Sequence, residues 1–173
     1  GPPRPIVPGA PSPGLDTIDL RELPLPMIMP ARGEEETPAE AAPHERELSS
    51  RLVAADAIVV VTPEYNHSFP AALKNAIGWT REEWFGKPVG LISYGGQGGG
   101  IRAAEQLRQV FPQMHAMTVR DAPGFHNASN VFGEDGRPKD EEAAARAAKG
   151  LPGRLDRWAE ALRTARARRP HGS

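Results

Sequence analysis

Apolar positions in this chain fall into two periods. Residues 57–61 read AIVVV and residues 88–94 read PVGLISY, continuous runs of the kind that form strands buried on both faces of a parallel sheet. Elsewhere the apolar residues recur at helical spacing: Leu48, Leu52 and Val53 within 43–55, then Ala71, Leu73, Ala76 and Ile77 within 70–79, then the stretch 101–111. These spacings predict three helices. Residues 116–119 give a third strand, and the weak alternation of 15–20 a short one before all of these. The acidic Asp140-Glu141-Glu142 opens a last helical region, which Gly150-Leu151-Pro152-Gly153 interrupts and which resumes over 154–166. Strands alternating with helices predict parallel crossovers, hence a three-layer α/β sheet with helices on both faces.

Proline changes that picture at one end. Eleven of the nineteen prolines lie in the first 43 residues, which predicts irregular chain over 1–14 and around 24–38. With 173 residues the expectation is a single domain over 1–173, ending in a disordered tail at 167–173. A formal net charge of −1 gives no global electrostatic support for a nucleic-acid partner or an anionic membrane. The basic stretch 163–169 reads as a solvated helix end, where cations suit the dipole. Cysteine is absent, which excludes thiolate chemistry and thiolate metal sites. The five histidines are scattered without ligand spacing, so no metal site is expected. No apolar run is long enough to span a bilayer and none resembles a signal peptide, which makes a cytoplasmic location the default expectation.

Candidate chemistry sits in two loops. Thr62-Pro63-Glu64-Tyr65-Asn66-His67-Ser68-Phe69-Pro70 leaves the first apolar run, and Ser93-Tyr94 followed by GGQGGG leaves the second. Loops that follow parallel strands emerge at one edge of the sheet, where open α/β sheets bind their ligands. Five glycines in six positions, 95–100, let the main chain approach a flat ligand and present bare amides. The loop fits neither GxGxxG nor a P-loop. Ser68 beside His67 is no nucleophile elbow, which needs GxSxG.

The stretch TPEYNHSFPAALKNAIGW, followed by EEWFGKPVGLISYGGQGGGIRAAEQLR, resembles the NADPH-dependent FMN reductase family with its flavodoxin-like fold. The likeness runs in order over about 15–125 and is densest over 62–108. It implies FMN as cofactor and NADPH or NADH as hydride donor. A quinone, an azo dye, a metal ion or free flavin would be the small-molecule electron acceptor. It assigns Pro63, Glu64, Tyr65, Asn66, Tyr94, Gly95, Gly96 and Gly99 to cofactor contact and names no general acid or base, because the flavin carries the hydride itself. It also implies a homodimer or homotetramer, in which Trp79 and Trp84 would be core or interface anchors and Glu64 could orient a neighbouring subunit's arginine. His67 and Arg102 would be candidates for a nicotinamide phosphate.

Two departures stand out. The family usually has Asp at the position of Gly78, which bears on helix packing or subunit contact. The family also opens with an apolar strand, a Gly-Ser-x-Arg loop that grips the FMN phosphate at a helix N-terminus, and that helix. Here Arg4-Pro5-Ile6-Val7-Pro8 is short and proline-flanked, and only seven residues separate Val7 from Leu15, fewer than the 10 to 12 or so of a parallel crossover. The expectation is a flavodoxin-like sheet lacking the usual first strand and first helix, with the 15–20 strand paired directly to the 57–61 strand, or a strand borrowed from a partner, or a truncated or remodelled product. An alternative function follows: a relative that has lost FMN binding and serves as an oligomeric structural or interaction module.

Overall fold

The structure, a computed structural model, describes residues 14–29, 39 and 41–170. The expected irregular stretch 1–13, the proline-rich 30–38, residue 40 and residues 171–173 lie outside the described residues.

The two apolar runs become the centre of a parallel sheet: β1 (Ile58–Pro63) and β2 (Pro88–Tyr94), paired in register from Ile58 opposite Val89 to Pro63 opposite Tyr94. A third sheet position is split between two short strands. β3 (Met117–Thr118) pairs with the first half of β2 and β4 (Gly124–Phe125) with its last two residues, both parallel. Arg108 fills the interruption, its guanidinium donating to the carbonyls of Val119 at 2.7 Å and Arg120 at 2.8 Å. This is the open, mostly parallel sheet with helices of a flavodoxin-like fold. Helices α1 (Ala42–Ala54), α2 (Ala71–Trp79) and α3 (Ile101–Gln113) fall within a residue or two of the sequence expectation. The short α4 (Ala128–Val131) was not expected; α5 (Glu141–Ala148) and α6 (Gly150–Arg168) follow.

The larger core lies between the sheet and α1, α2 and α3. Val60, Val89 and Leu91 meet Leu48, Leu52, Ile77, Leu107 and Phe111, with the Trp84 ring 5.2 Å from that of Phe111. On the opposite face Leu151 and Leu155 of α6 pack with Val119. A glycine makes that approach possible: a Cβ at Gly90 would stand 2.8 Å from the Leu155 tip. At the lower end of the sheet Lys87, 6% exposed, satisfies the last turn of α1 by donating to the carbonyls of Leu52 and Val53.

Four expectations need correction. Residues 15–20 form no strand. Arg51 holds Asp16 and the Thr17 carbonyl, while Asn75 and Trp79 donate to the carbonyls of Leu25 and Pro26. Prolines 24 and 26 remove ladder donors just beyond, so the segment packs as an extended pad with Leu23 buried. Among the described residues, β1 therefore has no neighbour on its outer side, and no direct pairing with 15–20 occurs. Second, β1 is not buried on both faces: Val59 is 44% and Val61 62% exposed, because α6 covers β2 and no described helix covers β1 on that side. Third, Val53 and Ala71 point outward, and Asn75 takes an inner position on α2. Fourth, the break between the last helices falls at Lys149 rather than over 150–153. Pro152 sits in the first turn of α6, where its missing N–H leaves no helical bond unmade. α6 also carries on through Ala167 and Arg168, into the stretch expected to be disordered.

Candidate functional site

The two loops do converge. At the upper end of β1 the ladder continues one step, Glu64 N–H donating to the Tyr94 carbonyl at 3.0 Å. Tyr65 to Ser68 then closes a turn in which each end residue donates its N–H to the other's carbonyl, at 2.8 and 3.0 Å. Its middle residues Asn66 and His67 both have positive φ, 50° and 69°, as a type I′ turn requires. Asparagine tolerates that region; histidine does so less readily.

The glycine loop lies beside this turn. Gly95 N–H donates to the Phe125 carbonyl at the end of β4. Asn127 and Ala128 donate back to the carbonyls of Gly96 and Gly95 at 2.9 and 3.0 Å. The His126 ring rests on Gly99, with Nδ1 2.6 Å from the Gln97 carbonyl. Ser93 Oγ, buried, donates to the Gly99 carbonyl. The segment 125–128 thus fixes the glycine loop from behind, a role that sequence reasoning missed because Gly124–Phe125 is too short a strand to carry a pattern.

Several polar groups around the two loops are unspent. Among the described residues, the Asn66 side-chain amide, the hydroxyls of Tyr65 and Tyr94, and the backbone N–H groups of Asn66, His67, Gly96, Gln97 and Gly98 have no hydrogen-bond partner. Open space adjoins Gly96, where an added Cβ would touch nothing within 4 Å. Tyr65 is 62% and Tyr94 36% exposed. Burial pushes the Tyr94 phenol pKa up, the neighbouring Tyr65 adds to the shift, and Arg21 opposes it. Flat main chain, two tyrosines and a set of free donors form a platform for a planar ligand with carbonyl acceptors along one edge.

Of the expected contact residues, Pro63 ends β1, and Tyr65, Asn66, Tyr94, Gly95 and Gly96 line this platform. Gly99 is buried beneath it with φ of 59°. Glu64 is turned to Arg102: one carboxylate oxygen accepts the Arg102 guanidinium at 2.8 Å, the other its backbone N–H at 3.1 Å. The hydrogen bond from Arg102 is the main reason the Glu64 carboxyl is held below the usual range. A carboxylate with a lowered pKa contributes stability that is complete above its unfolded value near 4.5 and is lost as pH falls through the folded value. Acid titration followed by circular dichroism should therefore show Glu64→Gln less stable than the parent above about pH 5, with the two converging at lower pH.

The model of NADPH-dependent FMN reductases matches residues 12–130. The chain belongs to that family. Among its relatives, an NAD(P)H-dependent FMN reductase of Schizosaccharomyces pombe is 38% identical over 116 residues, 60% of this chain and 56% of the other. A quinone reductase of Escherichia coli is 43% identical over 84 residues, 45% of this chain and 44% of the other. The chain thus spans about half the length of the curated relatives it matches. A flavoenzyme NAD(P)H:(acceptor) oxidoreductase of Paracoccus denitrificans shares the fold at 28% identity with a TM-score of 0.51, over 73% of this chain and 71% of that one. The matched region contains both of the loops that converge here.

The remaining family-linked residues have structural settings. Trp84 is buried and donates from Nε1 to Thr80 Oγ1 at 2.8 Å. Trp79 is half-buried on the Pro26 carbonyl. The space beside Gly78, where the family usually has Asp, is taken by the Met29 side chain, 3.1 Å from where a Cβ would stand. No described group of His, Asp and Glu could hold a metal ion, and no described helix is long and apolar enough to cross a membrane.

Proposed function

We propose that the chain acts as an NAD(P)H-dependent oxidoreductase that holds FMN across the convergent loops and passes reducing equivalents to a small acceptor such as a quinone. The observation that carries this reading is the platform of unspent donors beside Gly96, at the upper ends of two neighbouring parallel strands. The activities of the relatives, FMN reductase and quinone reductase, support it.

Bound FMN would supply the hydride chemistry itself, and the protein position and polarity. The chain's own residues suit that division. Asn66 and the free amides around it offer donors to the ring's carbonyl edge, where accumulating negative charge is stabilised by fixed dipoles. Tyr65 and Tyr94 offer apolar faces with hydroxyl ends, and the glycine loop lets the main chain lie close to a flat surface. The described residues hold no counterpart of the family's phosphate loop, so the ring end of the site supports the proposal. The same reading carries assembly as a homodimer or homotetramer, which light scattering after gel filtration would measure.

The deciding experiment titrates the protein into FMN, follows quenching of flavin fluorescence, and then adds NADPH without oxygen. Quenching followed by bleaching of the oxidised flavin band is the expected result. Absence of quenching at high micromolar protein would overturn the holoenzyme reading and favour a relative that no longer binds flavin. Asn66→Asp keeps a residue that tolerates positive φ but replaces the donor by an acceptor. It should weaken FMN binding roughly tenfold, the worth of one hydrogen bond, in the same titration.

A further inference from the structure

The turn carrying Asn66 is held in a demanding conformation. Two successive residues with positive φ, one of them a histidine, persist only where the surroundings over-determine them. The surroundings here are one face of α3. Arg102 and Gln106 stand four residues apart, so their side chains lie one above the other on that face. Arg102 binds Glu64, at the entry to the turn, through both its backbone N–H and its guanidinium. Gln106 uses both ends of its amide on the exit: Nε2 donates to the His67 carbonyl at 2.9 Å, and Oε1 accepts from Ser68 Oγ at 2.6 Å. The Arg102–Glu64 pair also abuts the glycine loop. A Cβ at Gly98 would fall 2.6 Å from Arg102 Nη1, and one at Gly95 would lie 3.5 Å from Glu64 Cβ.

We propose that Arg102 and Gln106 are positioning residues: together they staple the Tyr65–Ser68 turn to α3 and set its distance from the glycine loop before any ligand arrives. This rests on the functional reading above only where it concerns FMN; the staple itself is a property of the ligand-free chain. Each anchor is specific in its chemistry. Arg102 is the fork that a carboxylate reaching across two loops can take in more than one way. Gln106 must donate and accept at once, which neither glutamate nor leucine can do. On this account Arg102 is occupied by Glu64 and is not held ready for a nicotinamide phosphate.

The test separates the staple from the cofactor. Amide hydrogen exchange in the flavin-free protein reads the turn directly, through the N–H groups of Tyr65 and Ser68, which are bonded within it. Gln106→Glu, nearly isosteric, and Arg102→Ala should each speed exchange of these two amides at least about tenfold, with Leu91 in the core unchanged. Arg102→Lys, which keeps a cation for the Glu64 carboxylate but not the guanidinium fork, should lie between. In the FMN titration both disruptive variants should bind roughly 10- to 30-fold more weakly than the parent. Unchanged exchange in the turn would overturn the proposal. So would equal acceleration of Leu91, which would make the two residues ordinary stabilising contacts. Accelerated exchange with unaltered FMN affinity would also sink the claim that the staple sets the site. If the parent chain does not bind FMN, the functional reading falls, and the exchange comparison alone decides whether the staple exists.

Discussion

Phe111→Ala is expected to cost about 3 to 5 kcal/mol of stability, seen as a fall in melting temperature on the order of 10 °C. Phe111 is fully buried in the larger core, its ring against Trp84 and its neighbours drawn from α1, α2, α3 and both long strands. Alanine there removes the largest fully buried side chain, and the cavity left behind adjoins three helices that cannot all close on it. Phe111→Leu, which retains most of the volume, should lose about 1 to 2 kcal/mol. In both variants the fraction that remains folded should hold ligand much as the parent does, because the change lies at the far end of α3 from the two loops.

Gly100→Ala should hurt stability and binding together. Gly100 caps α3 with φ of 82°, and an added Cβ would stand 2.6 Å from Ser93 Cβ and 2.8 Å from the Tyr94 carbonyl oxygen. Left-handed backbone costs an ordinary residue about 1 to 2 kcal/mol, and overpacking about 1 to 3 more, giving a loss of about 2 to 5 kcal/mol. The Tyr94 carbonyl also accepts the Glu64 N–H, so displacing it separates the two loops. FMN titration of the folded variant should show binding at least roughly tenfold weaker, whereas Phe111→Ala should show stability loss alone. Denaturant unfolding combined with fluorescence titration distinguishes the two patterns.

How much of this was legible before the structure depends on the range of the interaction. The runs at 57–61 and 88–94 announce strands because β-branched apolar residues at successive positions have little other use. Gly100 followed by Ile101, and Pro112 near the end, bracket α3 by local chemistry alone. Residues 15–20 have a strand's alternation but no strand, since a ladder needs a partner, and the partner is not encoded in those six residues. Val59 and Val61 show the same limit: their side chains are fit for burial, while what covers them is decided elsewhere in the chain. In the site, the PEYN and SYGG motifs marked two loops that the fold brings together. The direction of Glu64 was beyond reach, because its partner Arg102 lies 38 residues away. The four-residue spacing of Arg102 and Gln106 was visible, yet nothing in it says that the opposing surface is a tight turn.

The bare flank of β1 has a consequence for how the protein behaves in bulk. Among the described residues, one edge of the strand IVVVTP offers its backbone groups to whatever arrives, and two valines beside it face outward without a charge or a bulge to discourage pairing. Natural sheets guard such edges with lysines, inward charges, kinks or proline; here Pro63 blunts only the end of the strand, and the five β-branched residues before it carry no charge, a composition prone to pairing with other strands. Turbidity in concentrated samples should therefore originate at this strand, and a single lysine in place of Val61 should raise the concentration at which the protein stays clear.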